Sequence, residues 1–161
     1  MRDAITPIVS FNHGMGSQER VKTGIKYGLV YTLGIMLIGF IGLEIFAEPF
    51  AGIFGLSGET KGLCVSAMRI VSISYVFAGA NIAFQGIFQA LDSGFESLVI
   101  SVCRQFLFVI PVAYAFVEMV LSGMCGTWIV WMSFVIAEVL SVLVSIVFMQ
   151  RVNKNKIAVM N

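Results

Sequence analysis

The chain has 161 residues, of which 58% are hydrophobic and 12% charged, with a formal net charge of +1. Soluble domains run about 45–50% apolar and about 25% charged, so this is the composition of an integral membrane protein. The near-neutral balance gives no basic field for nucleic acid. Cys64, Cys103 and Cys125 form no C-x-x-C pair, and His13 is the only histidine. A zinc site needs about four clustered ligands, so no metal or other cofactor is expected and the cysteines read as small buried hydrophobes.

The first element is either a stub of a longer helix or a short interfacial segment. Thr6 to Gly16 reads as the last turns of an apolar helix, then a stop and a turn. Its apolar part, Ile5 to Phe11, is too short to cross a bilayer, which takes about 20 apolar residues. It also lacks the plan of a signal peptide. A basic loop with Arg20, Lys22 and Lys26 is expected next.

Four apolar stretches follow, each long enough to span. The first runs from Tyr27 to about Leu43, and its Gly24-x-x-x-Gly28 entry is a weak small-residue packing motif. Beyond it, Phe46, Phe50 and Phe54 recur every four residues among Glu44, Glu48 and Pro49, which predicts a short interfacial helix interrupted at the proline. The second stretch runs from about Cys64 to Leu91, the third from about Leu98 to Leu121, and the fourth from about Thr127 to Met149. In lipid the backbone must satisfy its own hydrogen bonds, so these are helices, and the fold class is an all-α membrane bundle of four transmembrane helices plus the N-terminal stub. Arg20, Lys22 and Lys26 precede the first span, while Arg151, Lys154 and Lys156 follow the fourth. The positive-inside rule then places both clusters, and the C-terminus, in the cytoplasm. Trp128 and Trp131 fit the opposite interface, and a short frayed tail is expected from Asn153.

Polar side chains inside spans are costly and face the bundle or a water-filled cavity. In the second span Ser74, Ala78, Asn81, Gln85, Gln89 and Asp92 share one face within roughly an 80° arc, flanked by Phe77, Phe84, Phe88 and Phe95. That stripe either lines a polar cavity or serves as hydrogen-bonding glue between helices. In the third span Pro111 should bend the helix. Arg104 keeps its charge and is expected to anchor the bundle, on a carboxylate or helix carbonyls, or to snorkel. In the fourth span Glu138 lies near Ser141 and Ser145. A mid-span carboxylate is a candidate ion or proton site, with a protonated or arginine-paired structural glutamate as the alternative. No nucleophile–base pair supports covalent catalysis, so an enzyme is not expected.

Several of these pieces resemble one family. Pro7 to Gly16, followed by Arg20-Val21-Lys22, is similar to the close of the eighth helix and the basic loop of multidrug and toxic compound extrusion (MATE) transporters. Phe84-Gln85-Gly86-Ile87-Phe88-Gln89-Ala90-Leu91-Asp92-Ser93-Gly94 resembles the end of the tenth helix. Arg104-Gln105 with Ile110-Pro111 resembles the eleventh, and Trp128 through Ser141 the twelfth. The ordered set, over essentially the whole chain, carries the resemblance.

The resemblance implies twelve helices in two six-helix lobes that export organic cations or other amphiphiles in exchange for Na⁺ or H⁺. On it, residues 1–16 end family helix 8, 17–26 form a cytoplasmic loop, 27–152 are helices 9–12 and 153–161 a cytoplasmic tail. The chain would then be a fragment of the C-terminal lobe, in a bacterial plasma membrane, lacking the N-terminal lobe as its partner. Ser74, Phe77, Asn81, Phe84, Gln85 and Gln89 are the candidates to face the substrate cavity, the phenylalanines offering aromatic faces to a cation. Glu138 is a weak ion or proton candidate, and Pro7, Arg104 and Pro111 are structural. One departure matters: the sodium-coupled branch carries a carboxylate within its tenth helix, and the stripe from Ser74 to Gln89 has none. The rivals are a lipid-linked oligosaccharide flippase of the same superfamily, a complete four-span protein of assembly or regulation with Met1 as a true start, and a self-sufficient four-helix exporter acting as a dimer. A flippase calls for a more basic cavity than Arg69 and Arg104 provide.

Overall fold

The computed structural model describes residues 2–160, all but the two ends of the chain. Met1 and Asn161, the ends of the first and last expected segments, lie outside the described residues. The elements in order are α1 (Arg2–Gly14), α2 (Gln18–Ile53), α3 (Gly58–Ala90), α4 (Gly94–Val102), α5 (Val109–Leu121) and α6 (Met132–Val152). A π-helical turn, Cys103–Leu107, joins α4 to α5; a 3₁₀ turn, Thr127–Trp131, leads into α6; and a second π turn, Asn153–Ile157, extends it. Among the described residues there is no strand. Four helical units among these residues are long and apolar enough to cross a membrane: Gln18–Ile53, Gly58–Ala90, Gly94–Leu121 and Thr127–Ile157.

Helix α3 is the centre, packed by α1, α2 and α6. Its buried face is built from small and polar residues, among them Ser72, Gly79, Asn81, Ala83 and Gly86. Large apolar side chains point outward instead, as with Ile38 at 71% and Leu121 at 77% exposed. This inversion suits lipid, where apolar surface gains nothing by packing on itself and close backbone approach supplies the attraction. A Cβ at Gly79 would lie 2.5 Å from Met36 Cγ and 3.2 Å from Met36 Cβ, so α2 approaches α3 only over a glycine. Gly79→Val is therefore expected to destabilise the α2–α3 contact by about 1–3 kcal/mol, read as a lowered midpoint of thermal unfolding in nanodiscs; an unchanged midpoint would refute the close approach. The Gly24 and Gly28 pair similarly faces α1, with Ile5 Cγ1 2.9 Å from a Cβ built at Gly28.

Helix α1 ends in a Schellman turn. Ser17 N donates to Asn12 O at 3.2 Å and Gly16 N to His13 O at 3.0 Å, which puts Gly16 at φ 69°, a conformation glycine adopts without steric cost. The same motif closes α3: Ser93 N donates to Phe88 O at 2.7 Å and Asp92 N to Gln89 O at 3.3 Å, with Asp92 at φ 53°. Aspartate is one of the few non-glycine residues that tolerates this region.

Three local expectations change. The basic segment 17–26, read as a loop, is helical from Gln18 onward, because buried Val21 and Ile25 anchor its inner face. The interfacial helix around Pro49 is instead the end of α2, unbroken through the proline. Buried Ala47 and Ala51 hold that end in the bundle; Ser72 Oγ donates to Glu44 Oε1 at 2.7 Å, and Arg69 lies 3.8 Å from Glu48. The tail from Asn153 to Met160 is packed on the bundle rather than frayed. Ile157 is fully buried, Gln18 Nε2 donates to Ile157 O at 2.9 Å, and Lys156 Nζ donates to Leu91 O at 2.6 Å and Asp92 O at 2.8 Å. A lysine on the last carbonyls of a helix is favourable. These bonds bring the start of α2, the end of α3 and the end of the chain together at one end of the bundle, here called the basic end.

Candidate functional site

Halfway along the bundle, α3, the π turn and α6 meet in one polar network. Arg104 Nε donates to Glu138 Oε1 at 2.6 Å, with the two side chains only 19% and 12% exposed. The Asn81 amide nitrogen donates to Glu138 Oε2 at 2.8 Å and to the Glu138 carbonyl at 3.0 Å. Asn81 Oδ1 accepts from Ser145 Oγ at 3.0 Å, and the same hydroxyl lies 2.9 Å from Ser141 O. Both amide hydrogens and the amide oxygen of Asn81 are thus engaged, and both carboxylate oxygens of Glu138 have donors. A buried ion pair offsets its desolvation only with such added hydrogen bonds. Ser141 is the exception: its buried hydroxyl has no partner among the described residues.

The π turn sets where Arg104 sits. Pro111 has no N–H for the carbonyl of Leu107, and its ring crowds that carbonyl. One turn earlier the helix widens, and Phe108 N donates to Cys103 O at 2.9 Å. The expected distortion of the third span is therefore a π turn from Cys103 to Leu107, upstream of the proline and carrying Arg104. π turns insert one extra residue per turn and recur at functional sites.

Beside the ion pair is a cavity of about 320 Å³, lined by Ser74, Tyr75, Arg104, Gln105, Phe134 and Glu138 among others. Tyr75 carried no sequence signal, lying one position off the polar stripe, and Gln105 entered the sequence reading only beside Arg104 in the family resemblance. Ser74 is buried and donates to Val71 O at 2.6 Å. Gln89 is exposed and donates to Ser97 Oγ at 3.1 Å. Gln85 is 7% exposed; among the described residues its amide has no hydrogen-bond partner. Phe77 is half-buried. Phe84 stacks on Phe88, ring centroids 6.2 Å apart, and opens into a different groove between α2 and α6. The stripe residues thus fall into separate environments: Asn81 inside the network, Ser74 at the cavity, Phe84 at the groove and Gln89 near the α3–α4 turn. A larger concavity of about 710 Å³ between α1 and α2 contains none of them. Among the described residues there is no cluster of three or more metal-ligating side chains.

Comparisons with known proteins agree with this architecture. The MatE family model matches residues 1–115. The chain is 26% identical over 113 residues to an FAD transporter of Shewanella oneidensis, covering 70% of this chain and 25% of the relative. It is 24% identical over 126 residues to a probable multidrug resistance protein NorM of Thermotoga maritima, covering 78% and 27%. Among solved structures, a MATE in complex with MaL6 superposes with a TM-score of 0.84 at 23% identity, over 95% of this chain and 34% of that one. An outward-facing multidrug resistance MATE transporter gives 0.83 at 23% identity, over 95% and 33%. The Vibrio cholerae MATE transporter VcmN in its bent form gives 0.79 at 18% identity, over 94% and 33%. At these identities the structures share the fold, and the chain spans about a quarter to a third of the length of its matches. With its helices in the order and packing of those transporters and the family model over most of its length, this chain belongs to the MatE family of membrane transporters.

Proposed function

We propose that this chain is part of the C-terminal lobe of a secondary active exporter, which moves organic cations or other amphiphiles against Na⁺ or H⁺ by alternating access. In this reading the helices rock as one body with the rest of the lobe about a site near the midplane. The observation that carries it is Gln85. Ser74, Asn81 and Gln89 spend polar groups on partners within the chain, while Gln85, 7% exposed on the same central helix, has an amide with no hydrogen-bond partner among the described residues and is not among the fully buried unpaired atoms. An amide without a partner in the chain keeps its two donors and its acceptor free for a group from outside it. Substrate, or a polar group from the opposite lobe, would be that group.

Glu138 is not carried forward as the coupling acid, because both its oxygens are committed to Arg104 and Asn81. The coupling ion then acts on another part of the transporter.

The test is dye accumulation in an efflux-deficient bacterial strain. The chain alone is expected to leave accumulation unchanged, and the chain joined to the remaining helices of a relative is expected to lower it. Gln85→Ala in the joined protein should change the ranking among substrates more than its expression level. Cationic dyes and FAD belong in the same panel, since one relative is described as an FAD transporter and another as a probable multidrug resistance protein. Robust export by the isolated chain, or an unchanged ranking with Gln85→Ala, would overturn the reading.

A further inference from the structure

We propose that the groove between α2 and α6 is a binding site for an anionic glycerophospholipid from the leaflet at the basic end. The groove holds about 480 Å³, within the roughly 300–1,000 Å³ of small-molecule sites. Lys22 and Lys26 line its mouth, with the amides of Gln150 and Asn153 across from them. The shaft beyond is apolar, formed by Ile25, Leu29, Phe84, Ile146 and Met149. On α2 it runs from Lys22 to Leu29, about 10 Å along the helix at 1.5 Å per residue. Charge is therefore confined to the helix ends and hydrocarbon to the interior, which is the division within a phospholipid.

The charges are available. Lys22 and Lys26 are exposed, and among the described residues the ion pairs are Arg2–Asp3, Arg69–Glu48 and Arg104–Glu138, none at this mouth. The α6 side adds Arg151 and Lys154, and no acid occurs after Glu138. Lys156 is committed to the end of α3 and is not part of the site. A phosphate bridging the two lysines, with ester oxygens accepting from Gln150 or Asn153 and an acyl chain over Phe84, satisfies the cationic rim and fills the shaft. Basic pockets between membrane helices on the cytoplasmic side recognise anionic headgroups in this way. This inference does not depend on the transport reading.

Native mass spectrometry of the purified chain, incubated with equal amounts of phosphatidylglycerol and phosphatidylcholine, tests it. Each lysine near the surface strengthens anionic-lipid binding about five-fold. Phosphatidylglycerol is therefore expected to be retained about 25-fold over phosphatidylcholine, less so at high salt. Lys22→Gln with Lys26→Gln should bring retention close to parity, and Lys22→Arg with Lys26→Arg should preserve the preference. Ile146→Trp, which fills the shaft, should lower retention of both lipids. Arg151→Gln with Lys154→Gln keeps most of the preference if the groove is the site. Three outcomes would overturn the proposal: no preference in the parent chain, a preference that survives loss of both groove lysines, or equal loss from both pairs of substitutions. The last of these would indicate a diffuse field rather than a site.

Discussion

Arg104→Met is expected to lower the unfolding free energy of the bundle by about 3–5 kcal/mol, because it strands the largely shielded Glu138 carboxylate without its charged partner. The guanidinium lies 2.6 Å from that carboxylate, with both side chains mostly shielded. Replacing both members, Arg104→Met with Glu138→Leu, should restore stability to within about 1–2 kcal/mol of the parent or above it, since an apolar pair of similar volume avoids the desolvation cost. Glu138→Gln keeps an acceptor for Asn81 and leaves Arg104 unpaired, so it should resemble the single arginine variant. Thermal unfolding in nanodiscs of Arg104→Met, Glu138→Leu and the double variant made of these two gives the coupling energy directly. Additive losses would mean that the two groups do not depend on each other and that the pair is incidental to the fold.

The second large effect is at Asn81. Asn81→Leu removes the donor to Glu138 Oε2, the donor to the Glu138 carbonyl and the acceptor of Ser145. Single interhelical hydrogen bonds in membranes average about 0.6 kcal/mol, because the separated helices find other partners. Here one acceptor is a carboxylate, and charged acceptors left unsatisfied cost more. A loss of about 2–4 kcal/mol is expected, with α3–α6 contact disrupted first. Amide hydrogen exchange of α6 should rise around Glu138 while the start of α2 stays protected. A loss under about 0.5 kcal/mol would place Asn81 among ordinary interhelical contacts.

Under the proposed transport function, the network separates stability from transport. The Asn81 amide and the Glu138 carboxylate are saturated within it, so they suit a fixed joint between α3, the π turn and α6. Gln85, one turn from Asn81 on the same helix, is left unsaturated. Substitutions at Arg104, Asn81 and Glu138 should therefore reduce folded protein in proportion to activity. Substitution at Gln85 should alter substrate preference at constant folded protein.

Composition and spacing alone determined the class and the number of spans. Runs of about 20 apolar residues leave no alternative to helices in lipid, because backbone groups there have no water to bond. The pairing of the two basic clusters at one end follows from an even number of spans, and the bonds from Gln18 to Ile157 and from Lys156 to the end of α3 agree with it. The polar stripe of α3 was equally legible as a face, since 100° per residue places Ser74, Asn81, Gln85 and Gln89 together. What they face was not. Periodicity gives an angle about one helix axis and says nothing of which neighbour occupies it. Only packing decided that Asn81 meets Glu138 and Ser145 on α6, that Phe84 opens towards α2 and that Gln85 is left without a partner. Pro49 and Pro111 make the same point. Each removes one hydrogen bond, but the first stays helical because Ala47, Ala51 and Glu44 hold that end of α2 against α3. The second is accommodated by a π turn that carries Arg104. Local chemistry specified that something must give at each proline, and the tertiary contacts determined what did.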